Sequence, residues 1–490
     1  MKTLRVLLPL GLLAGALGCA DYDQEVAAFC DRNGESCDNT APVITQSSQS
    51  ATEVEARGLV TLSVTAQDKE TPSLSFSWAS TLGNLGEPKT TGSTSEITWT
   101  APVCVPSGQR ADATVTVSNG ITETVSKTFT LSTEPCRILA VSAGGSHSLA
   151  LRSDGTVWAW GSNSAGQLGN GRKDTVPVPV PGQVVGLEGV IAVAAGLSHS
   201  LALREDGTVW AWGNGGEGQL GDGSALDWDK PVQVSEVTGV IALAAGDNHS
   251  MALRGDGTVW AWGDNEGGQL GDGTDNDQAV PEQVRGLPGD CTALGGGLDQ
   301  SLAVCGDGNV WAWGYNDSGE LGETMSEEQY TPVQVKGLTR IKAVASGDSH
   351  SLALSEDGSV WAWGDNSEKQ LGDDDTEAAP RPTPVQVQGV TGVTDVAAGT
   401  SHSVALTADG TLWAWGLNDN GELGDGTDTS RASPARVQGL KDIEVLAVGD
   451  SHAVAMEGDG TVWAWGSNSS GQLGNGTARL TLVPVNSQLP

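Results

Sequence analysis

The tetrapeptide Trp-Ala-Trp-Gly begins at Trp158, Trp210, Trp260, Trp311, Trp361, Trp413 and Trp463, so one motif returns seven times at intervals of 50 to 52 residues. Self-similarity at that period means an array or a propeller, because a unit of this size cannot bury its apolar face alone. Within the second copy, Ile191 to Gly196, Ser198 to Leu203 and Thr208 to Gly213 read as three short strands. Asp206-Gly207 supplies the tight hairpin turn between the second and third, glycine taking the positive φ such turns require. Pro231 to Val234 reads as a fourth, outer strand. Because side chains alternate across a strand, Trp210 and Trp212 share one face and Val209 and Ala211 the other. The large face of one blade is therefore expected to stack on a small-residue face of its neighbour, and a closed ring leaves no such face exposed. This accounts for an unusual composition, 17 tryptophans and 68 glycines against three tyrosines and three phenylalanines in 490 residues. The repeated tryptophans read as core, not as a sugar-stacking platform.

The repeat, with Gly-Xaa-Xaa-His-Ser-Leu-Ala-Leu, Asp-Gly-Xaa-Val-Trp-Ala-Trp-Gly and Asn-Xaa-Xaa-Gly-Gln-Leu-Gly-Asp-Gly, resembles the regulator-of-chromosome-condensation (RCC1) repeat from Arg137 to Pro490. The resemblance implies an all-β fold class and a seven-bladed β-propeller over 137–490. It says little about function, since propellers host many unrelated tasks. Members of that family exchange nucleotide on the GTPase Ran or cover the active site of a β-lactamase. The near-uniform spacing here leaves no room for the long wedge that the exchange factor inserts, so exchange-factor activity is the least favoured reading. What the resemblance shares across members is protein binding through a propeller face.

Upstream, residues 41–136 carry short alternating runs such as Leu59 to Val64, Leu74 to Trp78, Glu96 to Trp99 and Ala113 to Val117, separated by Gly, Pro, Asp and Asn turns. This is a sandwich pattern. With Trp78 as the expected inner aromatic, it resembles a small immunoglobulin-like domain, and the expected role is a spacer, with an adhesive module as the alternative. The first residues set the compartment. Lys2 and Arg5 precede an apolar run from Val6 to Leu17, shorter than the ~20 residues that span a bilayer but suited to a signal peptide. Ala16-Leu17-Gly18-Cys19 resembles a bacterial lipobox, which implies a lipoprotein signal peptide over 1–18, lipidation of Cys19 and a tether over 19–40; cleavage after Ala20 is the alternative. The expected location is the cell envelope or the extracellular space. Either cleavage leaves Cys30, Cys37, Cys104, Cys136, Cys291 and Cys305, an even number that suits an oxidising compartment. Six cysteines admit fifteen pairings; clustering suggests Cys30 with Cys37, Cys104 with Cys136, and Cys291 with Cys305.

A formal charge of −36, from 61 acidic against 25 basic residues, repels phosphate backbones and anionic headgroups. No nucleic-acid partner is expected, and no membrane contact beyond the lipid anchor. All six histidines, His147, His199, His249, His350, His402 and His452, occupy one repeat position, with Gln300 in the fourth copy. Equivalent residues on stacked sheets lie ~10 Å apart, too far to share one ion, so they are expected to tie down the turn between the first two strands. Gly221-Asp222-Gly223 and its repeats lack the lysine and spacing of a phosphate loop, and Asp272, Asp275 and Asp277 lack the closing glutamate of a calcium loop. Ser-His-Ser recurs in nearly every copy, whereas a triad is a single constellation. No metal, cofactor or catalytic residue is expected, and the chain reads as a non-enzymatic, monomeric binding protein. Recognition then falls to the stretches that vary between copies. Trp228 lies outside the repeated pair, flanked by Asp227 and Asp229, and either anchors a partner or packs over its own outer strand. Tyr315 and Tyr330, in an atypical fourth copy, are the other candidates. A protein partner is the leading expectation; a carbohydrate or envelope polymer, or a purely structural role, is the alternative.

Overall fold

The computed structural model describes residues 40–69, 73–120, 123–323, 328–374 and 377–489. Cys19, Cys30, Cys37 and residues 1–39 in general lie outside them. Every regular element described is a strand, and the chain divides into two compact units, Met1–Pro135 and Cys136–Pro490.

The first unit is a pair of antiparallel sheets. One holds Val43–Gln49, Leu59–Gln67, Asn84–Leu85, Lys89–Thr91 and Thr94–Thr100; the other holds Ser75–Ser80, Ala111–Ser118 and Val125–Leu131. Strict alternation builds the core between them. Val60, Leu62, Val64 and Ala66 from one sheet meet Ala111, Ala113, Val115 and Val117 from the other, with Phe129 and Leu131. The deepest aromatic is Trp99, fully buried in phase with Ile97, its indole N–H donating to the Leu82 carbonyl at 2.9 Å. Trp78, expected at that place, is half-buried: it donates to the Ser95 hydroxyl at 3.0 Å and stacks on Phe129 at 6.0 Å.

In the second unit seven four-stranded antiparallel sheets follow one another, spanning 138–183, 190–233, 240–283, 291–334, 341–386, 393–436 and 443–486. Each uses four strands consecutive in sequence, in the second blade Val190–Ala195, His199–Arg204, Val209–Gly213 and Trp228–Gln233. Among the described residues no strand is shared between the first and seventh blades, which meet through contacts between blades. At each junction the tryptophan of one blade seats on the preceding blade. Trp262 packs on Leu201, Leu203, Val209 and Ala211, and Trp160 of the first blade packs on Val454, Met456, Val462 and Ala464 of the seventh in the same way. Burying such a side chain stabilises the junction by about 2–3 kcal/mol.

A belt of polar contacts runs through these junctions. The Gln167 carbonyl accepts from the Trp212 indole at 2.8 Å and from the Ser200 hydroxyl at 2.9 Å. His147 Nε2 lies 2.9 Å from the same hydroxyl. A serine hydroxyl has one proton. Since it goes to the carbonyl, His147 must be the neutral Nε2–H tautomer and donate. The same link joins His199 to Ser250, His249 to Ser301, His350 to Ser403 and His452 to Ser148. The histidines therefore stitch each blade to the next, where a tie within the local turn was expected. Gln300 replaces the link by donating to the carbonyls of Gly347 and His350, each at 3.1 Å. Glycine before the histidine makes room for the ring: a Cβ on Gly144 would lie 2.5 Å from His147 Cε1 and 2.3 Å from the Gly196 carbonyl.

One link is missing. Ala453 stands where the other blades carry serine; both ring nitrogens of His402 are buried without a partner, and the Glu422 carbonyl accepts only from Trp465, at 2.8 Å. Restoring the hydroxyl in Ala453→Ser should stabilise the chain by about 1 kcal/mol, while Ser250→Ala, which orphans His199, should cost about 1–3 kcal/mol. Urea denaturation checks both, as a shift of midpoint at constant m; equal midpoints for the three proteins would contradict the belt.

Candidate functional site

Strand direction places the turn after each blade's first strand and the loop after its third strand at the same end of the ring. Backbone bonds join the two, Ser162 N to Ser146 O and Asn214 N to Ser198 O at 2.8 Å each. The Asp-Gly hairpins lie at the other end. The described residues of the loops between third and outer strand, 162–173, 214–227, 264–277, 315–323, 328, 365–374, 377–380, 417–430 and 467–480, therefore form one face.

Most of these loops are pinned from inside by an asparagine. Asn265 accepts from Leu270 N at 3.0 Å and donates to the carbonyls of Thr274 and Asn276 at 3.0 Å each; Asn418 and Asn468 repeat the pattern. The second blade carries Gly215 there. A Cβ at that position would lie 2.1 Å from the Leu226 carbonyl, so the chain itself fills the space the asparagine takes elsewhere. Asp227 holds the loop instead, accepting from Gly215 N at 3.1 Å and pairing with Lys173 of the first blade at 2.9 Å. Partial burial works against its ionisation, but the Lys173 bond, the Gly215 N–H and the Lys173 charge together outweigh it and hold the carboxyl below its usual range.

This loop raises an apolar knuckle. Leu226 is 62% exposed and Trp228 39%. The Trp228 indole N–H donates to Asp222 Oδ2 at 2.9 Å, which fixes the ring while leaving an apolar surface in solvent. Sequence reasoning singled out Trp228 and missed Leu226; the missing asparagine at Gly215 was the available signal. Tyr315 and Tyr330 come together around the Gly267–Gly268 turn of the third blade, where a Cβ on Gly268 would lie 2.6 Å from Tyr330 and one on Gly267 3.6 Å from Tyr315. Their hydroxyls donate to Asp317 and Glu328, and the Asp317 bond pushes the Tyr315 phenol up to about 12. Trp228 is apart from this pair, in the contact between the first two blades, where its carbonyl lies 3.0 Å from where a Gly166 Cβ would be.

Charge is uneven over the face. The loops 162–173 and 467–480 contain no acidic residue and contribute Arg172, Lys173 and Arg479, whereas the third to sixth blades present acids such as Asp264, Glu266, Asp317, Asp365 and Asp419. Burial, with Asp277, Asp264 and Glu266 nearby, pushes Glu217 upward. The cysteines Cys291 and Cys305 are joined by a disulfide across the first two strands of the fourth blade; Cys104 and Cys136 are each disulfide-bonded. No helix among the described residues is long and apolar enough to cross a membrane.

A family model of the RCC1-like domain matches residues 14–343 and 297–489, the first segment starting upstream of the first blade in residues without the repeat's motifs. The chain belongs to this family. Mouse E3 ubiquitin-protein ligase HERC2 is 34% identical over 289 residues, 57% of this chain but 5% of that protein. The ultraviolet-B receptor UVR8 of Arabidopsis thaliana is 33% identical over 298 residues, 60% of this chain and 56% of the receptor. Among solved structures, Prp20p of Saccharomyces cerevisiae, described with its binding properties to Gsp1p and histones, superposes with a TM-score of 0.62 at 28% identity, covering 72% of this chain and 88% of that one. The chain thus spans about half or less of the curated relatives' length, and the match to HERC2 is confined to its RCC1-like part.

The buried titratable groups set a pH window. Burial lowers His147, His249 and His402 to about 3 and His199, His350 and His452 to about 4. The unfolded chain takes up these protons below about pH 6.5 and the folded chain does not, so stability falls as pH drops through that value. Burial raises Asp247 to about 8, Glu320 to about 7, and Asp299 and Asp450 to about 6. The folded chain keeps those protons where the unfolded one loses them, so stability also falls as pH rises from about 4 to about 8. The two sets balance near neutrality. Thermal unfolding followed from pH 4 to 9 should show a maximum at about pH 7, steeper on the acid side; a maximum near pH 5 would show that the histidines are not buried as neutral groups.

Proposed function

We propose that the chain is an exported binding protein of the cell envelope or surface, a seven-bladed propeller behind an immunoglobulin-like sandwich, that recognises a protein partner through the variable loops of one propeller face. One observation carries this reading. The side chains shared by the blades, the tryptophan pair, the histidine and the serine, are engaged in holding blades together, while an unshared apolar knuckle, Leu226 and Trp228, stands exposed on the loop face. Aromatic groups held rigid and ringed by polar side chains are the usual anchors of protein interfaces. The binding of Gsp1p and histones described for Prp20p supports protein recognition by this scaffold.

Export and anchoring rest on the apolar run Val6 to Leu17 followed by Cys19 and on the disulfide of the fourth blade, which suits an oxidising compartment. Lipid attached at Cys19 is the membrane anchor in this reading, and the propeller acts without catalysis.

The test is a pull-down with the full mature chain from envelope and extracellular fractions, beside Trp228→Ala and Tyr315→Ala. A single protein captured by the parent and weakened about thirtyfold or more by Trp228→Ala, the effect of losing ~2 kcal/mol at an anchor, is the expected result. Capture of polysaccharide alone would transfer the function to the polymer-binding alternative, and capture insensitive to both substitutions would remove the loop face from the account.

A further inference from the structure

At the hairpin end of the ring, opposite the variable loops, the first three blades each stack an arginine on the first tryptophan of the repeated pair. Arg152, Arg204 and Arg254 hold their guanidinium carbons 5.3, 5.9 and 5.8 Å from the ring centres of Trp158, Trp210 and Trp260. Each pairs with the aspartate of its Asp-Gly turn, Asp154 at 2.6 Å, Asp206 at 3.4 Å and Asp256 at 3.5 Å. In the second and third blades the arginine Nε also donates to a carbonyl upstream, that of Glu188 at 2.8 Å and that of Thr238 at 2.9 Å. An indole face, a carboxylate and a carbonyl together receive the guanidinium.

The fifth blade keeps this receptacle and lacks the arginine. Ser355 stands before Trp361 where Arg152, Arg204 and Arg254 stand before their tryptophans, while Asp357 takes the place of the turn aspartate and Thr339 that of Glu188 and Thr238. A cavity of about 170 Å³ opens there, with Trp361, Ser355, Asp357, Thr339, Arg340 and Glu356 in its lining. Among the described residues no cation stacks on Trp361. The remaining blades use the position otherwise. Cys305 of the fourth is tied to Cys291, the Thr407 hydroxyl of the sixth donates to Asp409 at 2.7 Å, and the seventh carries an anion, Glu457. Asp357 is prepared for a cation: the Ser359 N–H donates to it at 3.0 Å, and with the Ser359 hydroxyl holds its carboxyl below the usual range. Arg340 is already engaged by Glu356, through Nε at 2.9 Å. The charged lining, one arginine against Glu356 and Asp357, therefore sums to −1.

We propose that the fifth blade binds an arginine side chain of a basic polypeptide, its guanidinium stacked on Trp361 and paired with Asp357, in the place that the first three blades fill from their own sequence. Arginine is selected over lysine because a planar guanidinium stacks on the indole while presenting several donors in a fixed fork, which a point ammonium does not. The chain's formal charge of −36 draws a basic partner toward it. The site is at the opposite end of the ring from Leu226 and Trp228, so it stands or falls independently of that knuckle.

Nitrogen-15 NMR of the indole N–H groups of the full mature chain, titrated with acetyl-Gly-Arg-Gly-amide, tests this, the Trp361 resonance being assigned by its loss in Trp361→Phe. A saturable shift of that resonance is expected, with a dissociation constant of about 1 mM for one stacked and paired side chain. Acetyl-Gly-Lys-Gly-amide should bind at least about threefold more weakly. Asp357→Asn, a change at an exposed side chain, should weaken the arginine peptide at least about fivefold, and Asp428→Asn in an outer loop should leave it unchanged. Ser355→Arg, which supplies the missing group from within, should abolish binding and melt about 1–3 °C above the parent, a gain that a misfolded variant would not show. No saturable shift at Trp361, equal binding of the two peptides, or binding that Asp357→Asn and Ser355→Arg leave intact overturns the proposal.

Discussion

One backbone carbonyl per blade, that of Gln167 and its equivalents, decides how the ring closes. It accepts from the buried tryptophan of the next blade and, in six of seven junctions, from that blade's serine, which in turn accepts a hydrogen bond from a histidine or, beside Gln300, lies near its side-chain oxygen at 3.4 Å. Both lone pairs are thus used inside a water-free contact, where an unpaired polar group is costly. The apolar stacking of Trp262 on Leu201 and Val209 supplies most of the driving force, but it is non-directional. The belt fixes rotation and register, so that seven similar blades meet at one geometry and the seventh meets the first as any other pair does.

The periodic features were legible because they repeat. The Trp-Ala-Trp-Gly spacing gave the blade count of the expected ring, and the period of two separated large from small faces as the packing of Trp212 and Ala211 shows. The rest depended on contacts between repeats, which periodicity within one repeat does not assign. Trp210 and Trp212 share a face, yet only the second is fully buried, because it alone reaches the preceding blade's Gln167 carbonyl. The histidine position was visible, but its serine partner belongs to the next blade, 51 residues on for His199 and Ser250. In the first unit, Trp78 and Trp99 both sit on alternating strands, and the sequence offers no means of ranking their depth.

On the loop face, difference from the repeat carries the information. Gly215 in place of asparagine releases the space into which the 226 carbonyl moves, and Leu226 and Trp228 emerge beside it. The gradient from Arg172 and Lys173 to the acids of the third to sixth blades makes this face electrostatically asymmetric.

The belt makes a demand on the histidines that nitrogen-15 NMR of the imidazoles reads directly. His147, His199, His249, His350 and His452 should all be neutral Nε2–H tautomers whose shifts do not move between pH 8 and about pH 5, because burial holds their protonation at about 3 to 4. Nδ1–H tautomers, or titration with a midpoint near the ordinary value of about 6.5 in the folded chain, would contradict the claim that these residues hold the blades together.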